Sequence, residues 1–96
     1  MRKQSGHNGS CKVTFGLPAE VGANEAHVGG EFNEWSPTAT PMKRHKDGSF
    51  GATVTLEPGR RYRFRYLLGD GRWENDWAAD DYVPNEFGGE DSVIEV

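Results

Sequence analysis

From Arg61 to Leu68 the chain alternates strictly. Tyr62, Phe64, Tyr66 and Leu68 fall on one face of an extended segment, and Arg61, Arg63, Arg65 and Leu67 fall on the other. A period of two predicts a strand with one side against a core and the other facing water or a ligand. Phe50 to Leu56 repeats the pattern, with Phe50, Ala52, Val54 and Leu56 opposite Gly51, Thr53 and Thr55. Cys11 to Phe15, Ala26 to Gly30 and Ser92 to Val96 read as further strands. Lys43 to His45 fits a short edge segment, and Arg72 to Glu74 a short return strand.

The breaks between these runs carry turn chemistry. Asp47-Gly48, Pro58-Gly59 and Gly69-Asp70-Gly71 supply residues suited to tight reversals. Asn75 to Gly89 reads as loop. No long stretch has helical periodicity, and Ala19 to Ala26 leaves room for one helical turn at most. Short strands separated by such turns predict an all-β, antiparallel sandwich.

Length and charge narrow the function. Ninety-six residues make a single domain, placed at residues 11–96, after a polar stretch at 1–10 that is expected to be a flexible leader without an apolar signal core. The net charge of −4 argues against nucleic acid, and no apolar run is long enough for a bilayer-spanning helix. Cys11, the one cysteine, excludes an intrachain disulfide and fits a cytoplasmic protein.

Three groups of residues are candidates for chemistry. Trp35 and Trp73 sit in turns rich in Asn, Asp and Gly, Asn33-Glu34-Trp35 and Asp70-Gly71-Arg72-Trp73. Each is either a core residue or an exposed platform, and an exposed pair would suit stacking on the apolar faces of sugar rings. Trp77, beside Ala78 and Ala79, reads as packing.

The arginine face has a plain reading as a solvated surface or as partners for the acidic segment from Asp70 to Asp91. That reading suits Arg61. Arg63 or Arg65 instead offers a donor fork to hydroxyls beside Trp73. The acids Asp76, Asp80, Asp81, Glu86, Glu90 and Asp91 lack a calcium-loop register and read as a solvated loop, so no metal or cofactor is expected. No nucleophile elbow, phosphate loop or zinc motif is present, so the chain is not expected to be an enzyme.

The segment Gly30-Glu31-Phe32-Asn33-Glu34-Trp35-Ser36, the later Asp70-Gly71-Arg72-Trp73 and the terminal Ser92-Val93-Ile94-Glu95-Val96 together resemble the family 48 carbohydrate-binding modules. These include the early-set domain of isoamylase-like and branching enzymes and the glycogen-binding domain of the AMP-activated protein kinase β subunit. The resemblance implies an immunoglobulin-like (early-set) antiparallel β-sandwich. It also implies binding of an α-1,4-linked glucan or maltooligosaccharide. Trp35 and Trp73 match the stacking tryptophans. Arg65 falls where the family has a sugar-binding lysine, and Phe87 where a leucine flanks the sugar. Gly89 and Asp91 fall where a threonine and an asparagine contact hydroxyls. Arg65 keeps charge with a different geometry, Gly89 loses a hydroxyl, and Asp91 keeps acceptors without amide donors. The alternative is a protein-interaction domain that docks a glucan-active enzyme or another copy without binding sugar.

Overall fold

A computed structural model describes residues 2–5 and 9–96. Among these residues, nine strands build two antiparallel sheets: β1 (Arg2–Ser5), β2 (Cys11–Leu17), β3 (Ala26–Gly30), β4 (Lys43–Arg44), β5 (Phe50–Leu56), β6 (Arg61–Leu68), β7 (Trp73–Glu74), β8 (Asp81–Pro84) and β9 (Glu90–Glu95). One sheet has the order β1-β2-β5-β4, and the other runs β3-β6-β9-β8 with β7 also paired to β6. The expected runs at Ala26–Gly30, Phe50–Leu56 and Arg61–Leu68 are strands over those residues.

Alternation decides what the sandwich buries. Val13 and Phe15 of β2 and Phe50 and Leu56 of β5 face Tyr62, Phe64, Tyr66 and Leu68 of β6, with Val28 and Ile94 beside them. Phe15 sits among the rings, stacked on Phe32 at 5.6 Å and edge-on to Phe64 at 4.9 Å. Burying these side chains supplies the main driving force, at about 1.5–3 kcal/mol for each large one. Cys11 is buried in the same core, as a small strand residue.

Two expectations are corrected. Arg2–Ser5, placed within a flexible leader, forms β1, registered on β2 from Arg2 opposite Thr14 to Ser5 opposite Cys11. Residues 1 and 6–8 of that leader lie outside the described residues. Asp81–Pro84, read as loop, forms β8 against β9. Its sequence, with a charge, one valine and a closing proline, is a weak strand former. Its pairing with the buried β9 and the Asn85 hairpin set its conformation. Helical structure among the described residues is limited to single 3-10 turns at Ala19–Val21 and Glu31–Asn33. Among the described residues, no helix is long and apolar enough to cross a membrane.

One register feature positions the site. The β3 strand covers one edge of β6 from Phe64 to Leu68. On the opposite edge, β9 covers Arg61–Phe64 and β7 covers Tyr66–Leu67. Arg65 therefore lies where the chain leaves the sheet after Glu74 and returns near Asp91. Period-two alternation puts Arg65, Trp73 and Asp91 on the same outer face.

Candidate functional site

Trp35 is presented by an over-determined turn. After β3 the chain makes a 3-10 turn at Glu31–Asn33, and then Glu34 and Trp35 both adopt left-handed backbone, at φ 57° and 59°. Such conformations cost non-glycine residues about 1–2 kcal/mol each, so surrounding bonds must hold them. Asn33 does most of this. Its Oδ1 accepts the Gly30 amide at 3.0 Å, while its Nδ2 donates to the Val28 carbonyl at 2.9 Å and to Thr40 Oγ1 at 3.0 Å. The Trp35 amide then donates to the Gly30 carbonyl at 2.8 Å. Gly30 has no substitute here, because a Cβ would lie 2.7 Å from the Arg63 carbonyl oxygen.

Trp73 arrives from the other side. It opens β7 opposite Leu67, on the outer face. Its six-membered ring lies over Gly29, where an added Cβ would meet indole atoms at 3.1 and 3.2 Å. The missing side chain lets the indole settle onto the strand. The two indoles meet edge to face, with centroids 6.4 Å apart and planes at 70°. Trp73 is 38% exposed and Trp35 half-buried, so both keep accessible ring surface.

All five sequence candidates, Trp35, Trp73, Arg65, Phe87 and Asp91, line one groove of about 910 Å³. They do different work there. Arg65 is half-buried, and its Nε is buried with no hydrogen-bond acceptor among the described residues. Its neighbours on the face are committed to acids. Arg61 pairs with Asp81 at 2.7 Å and Glu95 at 3.1 Å, and Arg63 lies 3.8 Å from Asp91. No ion pair of Arg65 occurs among the described residues. Asp91 is 7% exposed and accepts from Asn85 Nδ2 at 3.2 Å, so its carboxylate is partly engaged by the protein itself. Phe87 is 86% exposed at the tip of the β8–β9 hairpin.

Sequence reasoning did not place Glu31, Asn85 or Glu86 at the sugar site, Glu86 being read only as part of a solvated acidic loop, yet all three line the groove. Glu31 accepts the Arg63 amide at 2.7 Å. Asn85 shapes the hairpin, with its Oδ1 taking the amides of Phe87 and Gly89, each at 3.0 Å. A signal for Asn85 existed, since asparagine after a strand commonly turns back on its own backbone. Nothing local marks Glu31 or Glu86. Gly89 lies away from this groove, in a second one.

Two further expectations fail. Trp77 is not packed: it is 62% exposed, with its indole nitrogen 3.4 Å from Glu74 Oε1. The acidic segment is not uniformly solvated, because Asp76 is 5% exposed. Asp76 Oδ2 accepts the Tyr66 hydroxyl at 2.6 Å, and Oδ1 accepts the Ala78 amide at 2.8 Å. Ser92 Oγ takes the Asp76 amide at 2.9 Å and donates to Asn75 Oδ1 at 2.8 Å. Burial and the Asp76 charge push the Tyr66 hydroxyl well above the ordinary tyrosine range. This buried network pins the chain just after Trp73 to the inner face of the sandwich.

An all-β, immunoglobulin-like sandwich with an aromatic groove on an outer sheet face is the class that fold and site define. The model of carbohydrate-binding module 48 (isoamylase N-terminal domain) matches residues 6–83, and the chain belongs to that family. Carbohydrate binding in general follows from that membership. Trp35, Arg65 and Trp73 fall inside the matched stretch, whereas Phe87 and Asp91 lie beyond it.

Proposed function

We propose that this protein is a non-catalytic module that binds α-1,4-linked glucan, such as glycogen, starch or maltooligosaccharide, on the Trp35–Trp73 groove. The observation that carries this reading is the pair of indoles set at 70° in the groove that Arg65 also lines, with Arg65 Nε buried and without a hydrogen-bond partner among the described residues. Two coplanar rings would suit a flat, ribbon-like β-1,4 chain. Rings at a steep angle suit a chain that turns from one unit to the next, as α-1,4 linkage requires. Trp35 and Trp73 stack on successive rings, Arg65 donates to hydroxyls between them, Asp91 accepts with its remaining lone pairs, and Phe87 flanks the chain.

The groove's carboxylates fit binding better than hydrolysis. Of the three carboxylates that line the groove, Glu31 accepts a backbone amide and Asp91 accepts from Asn85 and lies near Arg63, which leaves Glu86 without the second free carboxyl that glycoside hydrolysis needs. Two stacking contacts of about 1 kcal/mol each and a few hydrogen bonds give micromolar to millimolar affinity. That range suffices on a polymer offering many sites. A cytoplasmic setting, where the buried Cys11 stays reduced, belongs to the same proposal.

The 86% exposure of Phe87 favours one competing reading, in which the aromatic surface docks a glucan-active enzyme. Tryptophan fluorescence titration separates the two. A saturable change with maltoheptaose or β-cyclodextrin, absent with cellohexaose and lost in Trp35→Ala and Trp73→Ala, is expected. No change up to millimolar ligand overturns the glucan reading.

A further inference from the structure

Strand register separates the two faces of the β8–β9 hairpin. Tyr82 pairs with Ser92 and Pro84 with Glu90 across the hairpin, while on β6 Phe64 pairs with Ser92 and Tyr66 with Glu74. Parity therefore sets Tyr82, Pro84, Glu90 and Glu74 on the inner face, the reverse of the side that carries Arg65, Trp73 and Asp91. The other sheet covers this inner face at Ser92 and Ile94, both fully buried. The cover stops short of Glu90, which is exposed, and there the inner face opens as a groove of about 770 Å³.

Trp77 and Tyr82 form the aromatic surface of that groove, 62% and 38% exposed. Both rings are held by their polar ends. Trp77 Nε1 donates to Glu74 Oε1 at 3.4 Å, and the Tyr82 hydroxyl donates to the Asp76 carbonyl at 2.6 Å while accepting the Ala79 amide at 3.2 Å. The Asp76 carboxylate is fixed in turn by the Tyr66 hydroxyl. Rings held in this way lose little further freedom when a partner packs on them. An indole this exposed, beside a second aromatic ring, marks a binding surface on a small domain.

Charge decides what that surface accepts. Asp76 and Glu90 line the groove and Glu74 touches Trp77, whereas no lysine or arginine lines it among the described residues. Neither Glu74 nor Glu90 has an ion pair among those residues, and Lys3 on β1 is committed to Asp80. An indole face beside uncompensated carboxylates attracts a cation twice, through the ring quadrupole and through the charges. Guanidinium fits better than ammonium, because it stacks flat on an indole and is more weakly hydrated.

We propose that the Trp77–Tyr82 groove docks an arginine-bearing segment of a partner protein, with a guanidinium stacked on Trp77 and paired to Glu90. The site faces away from the Trp35–Trp73 groove, so the module holds this partner while its outer face is occupied. The inference is independent of the glucan reading and survives its failure.

NMR titration of the full chain tests it. The three tryptophans give three indole N–H signals, which Trp35→Phe, Trp73→Phe and Trp77→Phe assign. The probe is the capped peptide Gly-Arg-Gly-Arg-Gly-Arg-Gly, compared with its lysine counterpart. The arginine peptide is expected to shift the Trp77 signal saturably at millimolar concentration or below, leave the Trp35 and Trp73 signals in place, and bind more tightly than the lysine peptide. Read on the Gly88 and Gly89 amides, Trp77→Ala should weaken binding about fivefold and Glu90→Gln about twofold. Glu20→Gln removes the same charge from the 3-10 turn outside the groove and should weaken it less than Glu90→Gln. Saturating maltoheptaose should leave peptide affinity within about twofold. No saturable shift, equal affinity for the two peptides, no effect of Trp77→Ala, or equal effects of the two glutamate variants would each overturn the site.

Discussion

Asn33→Ala probes whether one side chain holds the Trp35 platform in place. The substitution removes three hydrogen bonds, from the Gly30 amide and to Val28 O and Thr40 Oγ1. At about 1 kcal/mol net for each, the gross loss is ~3 kcal/mol. Part of it returns when Glu34 and Trp35 leave the left-handed region, which relieves up to about 1–2 kcal/mol per residue. The two terms oppose each other, and relief at both residues can offset most of the loss, so a net destabilisation between about 0 and 3 kcal/mol is expected, set by how far the turn relaxes. Relief and misplacement are the same event, because the turn relaxes only by moving Trp35. Glucan affinity should therefore fall about as far as in Trp35→Ala. Urea unfolding followed by far-ultraviolet circular dichroism gives the stability change, and titration with maltoheptaose under conditions where the variant is folded gives the affinity. A loss of stability below ~0.5 kcal/mol with unchanged binding would refute the argument that Asn33 maintains the strained pair.

Four further outcomes are expected. Gly29→Ala places a methyl 3.1–3.2 Å from the Trp73 ring; it should shift the indole and weaken glucan binding by titration, with stability changed by less than about 1 kcal/mol. Arg65→Met removes a buried Nε that has no acceptor among the described residues; it should leave urea stability equal or up to about 1 kcal/mol higher while abolishing measurable glucan binding. Tyr66→Phe deletes the donor to the buried Asp76 carboxylate and should cost about 1.5–3 kcal/mol in urea unfolding. In acid, the carboxyls of Asp70, Asp80 and Asp81 are held below their ordinary value. At Asp80 burial acts upward, and the Lys3 ammonium and Glu95 amide outweigh it; at Asp81 the Tyr82 amide and Arg61 act downward, and at Asp70 the Arg72 amide does so. Lowered folded-state values mean their contribution is complete above about pH 4 and is lost as pH falls through those values. Stability measured against pH should be flat just above pH 4 and decline below it, with a shallower decline in Asp80→Asn.

Much of this protein is local information. Period-two alternation in β5 and β6, with aspartate, proline and glycine at the reversals, is enough to name the strands, their inner faces and the all-β class. A side chain's face on an extended chain depends only on parity, which neighbours in space cannot alter without breaking the ladder. The same parity put Arg63 and Arg65 on an outer face, and the turn chemistry around Trp35 and Trp73 marked both indoles as unusual. What the sequence could not decide is which distant segments meet. Arg2–Ser5 and Asp81–Pro84 are strands because β2 and β9 offer them partners, a gain invisible to local preference. Trp77 and Asp76 exchange their expected surroundings because Tyr66, ten residues away and buried, needs an acceptor for its hydroxyl and draws Asp76 inward. That inward pull leaves its neighbour Trp77 outside. The groove itself exists only because β9 and β7 pair with one edge of β6 before and after Arg65, which brings residues from Glu31 to Asp91 onto one face. Residue types carry the chemistry of stacking and donation, and strand register alone sets the distance and the angle at which they can act together.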